Sequence, residues 1–111
     1  MAKRITLNDV RSKVQNKRPF MTTNSTLFGS WYGDSSTDRY VVHSYGDHWP
    51  LFIYVKSIDR WFENTDKYGV TTSKHHGKAH PHTETTGLSC DDMRLLAIGG
   101  YKALAEKLVG R

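Results

Sequence analysis

The spacing of apolar residues changes period along this chain, and each change marks a new element. Leu7, Val10 and Val14 recur at intervals of three and four, which predicts a short helix over residues 7–16. Thr6-Leu-Asn-Asp9 opens it with a pattern resembling a capping box, with Asp in place of Glu. Pro19 closes it, because the residue before a proline avoids the α region. Residues 20–38 read as a connector with one candidate strand, Thr26 to Tyr32, and a polar loop over Gly33 to Asp38.

The period then falls to two. Arg39 to Tyr45, Pro50 to Lys56 and Trp61 to Asn64 are strand-like runs separated by the turn residues Gly46-Asp47 and Ser57 to Arg60. Short connections between consecutive strands predict an antiparallel meander. The second run is apolar on both faces, with Leu51, Ile53 and Val55 on one and Phe52 and Tyr54 on the other. One face should therefore pack on helices, and the N-terminal connector is the expected cover for the other.

Past residue 89 the helical period returns. Ser89-Cys-Asp-Asp92 is a second capping pattern, and Met93, Leu96, Ala97, Tyr101, Leu104 and Leu108 step by three or four. They predict an amphipathic helix over 90–109. Its interior pair Gly99-Gly100 calls either for a close approach to the sheet or for a kink. The expected fold is thus α+β: a small three-stranded antiparallel meander packed by a C-terminal helix, with a short N-terminal helix.

A chain of 111 residues has room for one domain with one modest core. Its organisation reads as a basic arm over 1–18, a sheet over 26–64, a His/Lys-rich segment over 67–82 and the helix over 90–109. Thirteen aromatic residues (three Trp, six Tyr, four Phe) compensate for a low apolar content of 37%. Trp49 and Trp61 are expected in the core. A single cysteine, Cys90, excludes an internal disulfide and favours a reducing compartment. The first residues lack the apolar stretch of a secretory signal, and the longest apolar run, Pro50 to Val55, is far short of the ~20 residues that span a bilayer. The expected setting is cytoplasmic, with no membrane partner.

The net charge of +5 is unevenly placed. Residues 1–18 hold Lys3, Arg4, Arg11, Lys13, Lys17 and Arg18 against Asp9 alone, whereas residues 19–111 hold ten of each sign. A second cationic stretch, Lys67 to His82, carries three lysines, four of the six histidines and no acid. Basic segments beside a sheet suit an anionic partner. Arg11, Lys13, Lys17, Arg18, Lys67, Lys74, His75 and Lys78 are the candidate phosphate contacts. Ser73 would offer a hydroxyl or cap a short helix, and Tyr45, His48 and Tyr68 flank turns where they would stack or hydrogen-bond.

Two other chemistries are less well served. His76 and His80 would share a face if residues 73–80 were helical, with His82 or His43 completing a metal site. One cysteine leaves such a site to histidines and carboxylates almost alone, so no metal or cofactor is expected. A metal-dependent phosphodiesterase-type enzyme would use His43, His48 or His75 as base with Lys74 at the phosphate. No triad elbow, paired-carboxylate site or two-metal acidic cluster accompanies them, and no catalytic residue is assigned.

The stretch from Tyr40 to Pro50, YVVHSYGDHWP, and that from Asp66 to His75, DKYGVTTSKH, resemble a family of small uncharacterised bacteriophage proteins. Those proteins share Y-V-V-x-S-Y-G-x-H-x-P followed by D-K-Y-x-V-T-T-S-K/R-H; Gly69 stands where they tend to have Ser. The resemblance covers about residues 39–81 and implies a viral origin, acting in the host cytoplasm, without implying a mechanism. The leading expectation is a binding protein that contacts nucleic acid. The alternative is an inhibitor of a host defence or replication protein, in the manner of an anti-CRISPR factor, using the aromatic sheet face. Oligomeric state is open.

Overall fold

The fold is given by a computed structural model that describes residues 4–22, 26–33, 38–44, 49–66, 77, 79–81 and 83–109. Its elements in chain order are β1 (Arg4–Ile5), α1 (Leu7–Gln15), β2 (Phe20–Thr22), β3 (Leu27–Tyr32), β4 (Arg39–Ser44), β5 (Pro50–Val55), a 3-10 turn (Lys56–Ile58), β6 (Arg60–Asn64), β7 (Thr85–Leu88) and α2 (Cys90–Val109). The strands form one sheet in sequence order, β1 to β7. β2 to β6 pair antiparallel, while β1–β2 and β6–β7 pair parallel.

The α+β class and the C-terminal helix are as the sequence predicts, but the three-stranded antiparallel meander is corrected to a mixed sheet of seven strands. β4, β5 and β6 are the strands with clear period-two signals. β1, β2 and β7 have only two, three and four residues. Runs that short carry no measurable period, and parallel pairing needs a crossover that local sequence does not reveal.

Helices cover both faces of the sheet, and the residues sort by strand parity. Tyr40, Val42, Phe52, Tyr54 and Trp61 join Val10 and Val14 of α1 in one core. Val41, Ile53, Val55 and Phe62 join Met93, Leu96 and Leu104 of α2 in the other. β4 and β5 are accordingly buried at every position, which explains their two-sided apolar character. A bulge between Val42 and His43 skips Leu51 in the pairing with β5, and Leu51 falls into the α1-side core with Phe52. Trp61 is buried and Trp49 packs partly buried against the same core.

On the α1 face, the helix and residues 79–81 are joined by side chains. Arg11 donates from Nε to the His80 carbonyl (3.0 Å) and from a terminal nitrogen to the Gly77 carbonyl (2.7 Å); Gln15 donates to the Pro81 carbonyl (3.0 Å). Gly29 lets β2 and β4 close up on this face. A Cβ there would lie 2.6 Å from both the Phe20 ring and the Tyr40 hydroxyl. That hydroxyl, deep in the core, donates to the Arg18 carbonyl at 2.6 Å, and burial pushes its pKa upward.

α2 resolves the question posed by its glycine pair. Ser89 caps it, its Oγ accepting from the Asp92 amide at 3.3 Å. Gly100 then breaks it, with φ 79° and ψ −179°, so the kink is the correct alternative. Lys107 reaches Asp92 at 2.5 Å. Fifteen residues of straight helix would separate them by about 22 Å, so the second half turns back toward the first.

At the break, Arg39 of β4 donates to helix carbonyls. Its Nε donates to the Ala97 carbonyl (2.7 Å), one terminal nitrogen to the Ile98 carbonyl (2.9 Å), and the other to Asp38 (2.8 Å). A buried guanidinium thus caps the negative end of the first half-helix. Among the described residues no helix is long and apolar enough to cross a membrane.

Candidate anion-binding cleft

Helix α1 ends in a Schellman turn. The Arg18 amide donates to the Lys13 carbonyl at 2.8 Å, with Lys17 in the left-handed region at φ 53°. Glycine is the default residue there, because a Cβ in that conformation costs about 1–2 kcal/mol. The 3-10 turn between β5 and β6 ends in the same way, on Asp59 at φ 48°. These two are the non-glycine residues with positive φ among those described, and both line a single cleft of about 600 Å³. Residues held in costly conformations cluster where function requires a side chain at a set place.

Tyr54 links the two. Lys17 Nζ stands 4.3 Å from the centre of its ring, a distance at which the aromatic quadrupole attracts a cation. The Tyr54 hydroxyl donates to the Asp59 carboxylate. Below this pair Tyr54 packs against Trp61 (5.3 Å between ring centres) and edge-on to Trp31 (6.4 Å), whose indole N–H donates to the Lys17 carbonyl at 2.8 Å. The cation therefore stands on an aromatic base that is itself fixed. Arg60, the first residue of β6, lines the same cleft and is exposed. Gln15, Thr83, Thr85 and Thr86 also line it, with Glu84 as the second carboxylate; Gln15 and Thr85 donate to the Pro81 carbonyl and to Glu63.

Charged side chains of both signs line this cleft, Lys17 and Arg60 with Asp59 and Glu84. Among the described residues Arg39, His80, Arg94 and Lys107 each have a carboxylate within 4 Å. Lys13, Lys17, Arg18 and Arg60 have none. Lys17 over the Tyr54 ring and Arg60 bring two cations to a cleft that Asp59 and Glu84 also line, and cationic donors of this kind can take phosphate oxygens.

The hydrogen bond to Asp59, then burial, then the Asp59 charge push the Tyr54 pKa from the ordinary 10.0 up to about 12. A folded-state pKa above the unfolded value means that this contribution to stability is complete below pH 10 and is lost as the pH rises toward 12. Asp59→Asn is expected to bring the Tyr54 midpoint down toward the ordinary tyrosine value in an ultraviolet titration. An unchanged midpoint would show that the Asp59 bond does not hold the proton.

Of the residues singled out in the sequence, Lys17 lies in this cleft and Lys13 and Arg18 lie on the same helix end. Arg11 is engaged with the carbonyls of Gly77 and His80. Tyr45, His48, Lys67, Tyr68, Ser73, Lys74, His75, His76, Lys78 and His82 lie outside the described residues. His80 follows the described helical positions 77 and 79. Its Nε2 sits 3.3 Å from Glu63 and its ring lies edge-on to Phe52. Among the described residues no three ligating side chains gather as a metal site would need. Tyr54, Asp59 and Arg60 were not legible as site residues: they read as strand and turn, and only the fold brings them to the end of α1.

Compared with known protein families, curated proteins and solved structures, the chain matches none.

Proposed function

We propose that this protein is a non-enzymatic binding protein that takes nucleic acid on its α1 face, with the phosphate backbone seated at the Lys17–Arg60 cleft. One observation carries the reading. Lys17 occupies a left-handed helix-end position that favours glycine, and it presents an unpaired ammonium group from an aromatic base beside a second unpaired cation, Arg60. Lys13 and Arg18 would extend the track along the end of α1. The excess of positive charge in residues 1–18 supports the same polarity. Resemblance to small phage proteins supports a setting in the cytoplasm of an infected cell.

The test measures anisotropy of labelled single- and double-stranded oligonucleotides over a range of salt. Contacts from Lys13, Lys17, Arg18 and Arg60 are expected to give a log–log salt slope of about −3. Lys17→Gly is the informative variant. It is expected to weaken binding and flatten the slope by about 1, while stabilising the fold by about 0.5–1 kcal/mol through relief of the left-handed lysine. Affinity independent of salt, or no binding to DNA or RNA at low salt, would overturn the proposal.

A further inference from the structure

At the end of α1, two consecutive cationic residues have all four of their main-chain polar groups taken by the protein itself. The Lys17 amide donates to the Val14 carbonyl (3.0 Å) and the Arg18 amide to the Lys13 carbonyl (2.8 Å). The Lys17 carbonyl accepts from the Trp31 indole (2.8 Å) and the Arg18 carbonyl from the Tyr40 hydroxyl (2.6 Å). Lys17 is partly exposed and Arg18 is exposed. Main-chain groups past a helix end are commonly left to water. Here the two carbonyls are taken by rings of the core beneath, and Tyr40 is fully buried.

We propose that Trp31 and Tyr40 are positioning residues for anion binding, which fix the backbone under Lys17 and Arg18 and so aim both cations at the phosphates of a nucleic acid. The role rests on the reading of the α1 end as a nucleic-acid surface. Peptide units are planar, so the two planes that flank a Cα set the direction of its Cβ. The Trp31 bond holds the plane between Lys17 and Arg18, and the Tyr40 bond holds the plane between Arg18 and Pro19. The plane before Lys17 is held by its own amide. Both side chains therefore leave the backbone in set directions before a ligand arrives, which lowers the ordering cost of binding. Trp31 also packs edge-on against Tyr54, the ring beneath the Lys17 ammonium group, so it supports the main chain of Lys17 and the seat of its side chain together. Space for the Tyr40 hydroxyl comes from Gly29 of β3, where a Cβ would lie 2.6 Å from that oxygen. The aim of a surface arginine thus depends on a missing side chain inside the sheet.

Oligonucleotide anisotropy on Tyr40→Phe tests the role, because that change removes a hydroxyl and keeps the ring. With every cation retained, the log–log salt slope is expected to match wild type while affinity falls roughly 3–10-fold. In an Arg18→Gln background the same change is expected to shift affinity by less than about twofold, since the side chain it aims is gone. Trp31→Phe is the second arm, with Lys17→Gln as its background and the same pattern expected. Gly29→Ala is expected to reproduce the affinity loss of Tyr40→Phe from outside the cleft. In the free protein, amide hydrogen exchange at Arg18 is expected to quicken in Tyr40→Phe. Variants of Tyr40 and Trp31 that bind like wild type overturn the positioning role and leave the nucleic-acid reading in place. So do losses of equal size with and without the cation concerned, the mark of a purely structural effect. Wild-type protein that binds no oligonucleotide at low salt overturns the reading, and the role with it.

Discussion

Arg39→Ala will destabilise the fold by about 3–4 kcal/mol, seen as a lower denaturation midpoint in urea at an unchanged slope. The side chain is 9% exposed and makes three hydrogen bonds, two to main-chain carbonyls at a helix break and one to Asp38. Each charge-assisted bond is worth about 1.5 kcal/mol or more, and its removal takes from two part-buried carbonyls the donor that the guanidinium supplies. Arg39→Lys is expected to recover less than half of the loss, since an ammonium group cannot bridge two adjacent carbonyls as a planar fork does. A cost below about 1 kcal/mol for Arg39→Ala would show that the helix end is satisfied without it.

Gly100→Ala will cost about 2–3 kcal/mol by the same measurement. Its backbone, at φ 79° and ψ −179°, lies in a region that side chains almost never adopt. The added Cβ would also sit 3.2 Å from an Arg39 nitrogen and 3.4 Å from the Asp38 carboxylate. Strain and displacement of the cap therefore act together. Once Arg39 is already alanine, the steric part of the penalty disappears. The double variant Arg39→Ala/Gly100→Ala is expected to be more stable than the sum of the single losses allows. Strict additivity would mean that the glycine and the guanidinium do not act on one another.

These two residues also show where reading the sequence reaches its limit. The glycine pair left a close approach and a kink open in α2, and the spacing of Met93, Leu96 and Leu104 placed the helix itself. Nothing near Arg39 announced its role. It reads as the first residue of a strand, and its partners lie 58 and 59 positions away. β4 and β5 were legible because two-sided burial demands an unbroken apolar run. β7, with the sequence Thr-Thr-Gly-Leu, was not, because its place is fixed by its neighbour β6 and not by its own composition. The cleft divides the same way. Lys17 was visible as a cation ending a helix, but its companions come from the β5–β6 turn and from residues 81 and 83–86, and no local period encodes that meeting.

The bonds from Arg11 to the carbonyls of Gly77 and His80 have a wider effect than holding one loop. α1 leads from β1 to β2, and residues 77–81 lie on the path from β6 to β7, so one arginine clasps the approaches to both margins of the sheet. Its two outermost strands, of two and four residues, are short and lie at the rims, the places where a β protein first loosens. With their approaches fastened to each other, the left and right borders loosen as one cooperative unit around a durable β3–β6 centre, although some eighty residues of chain separate them.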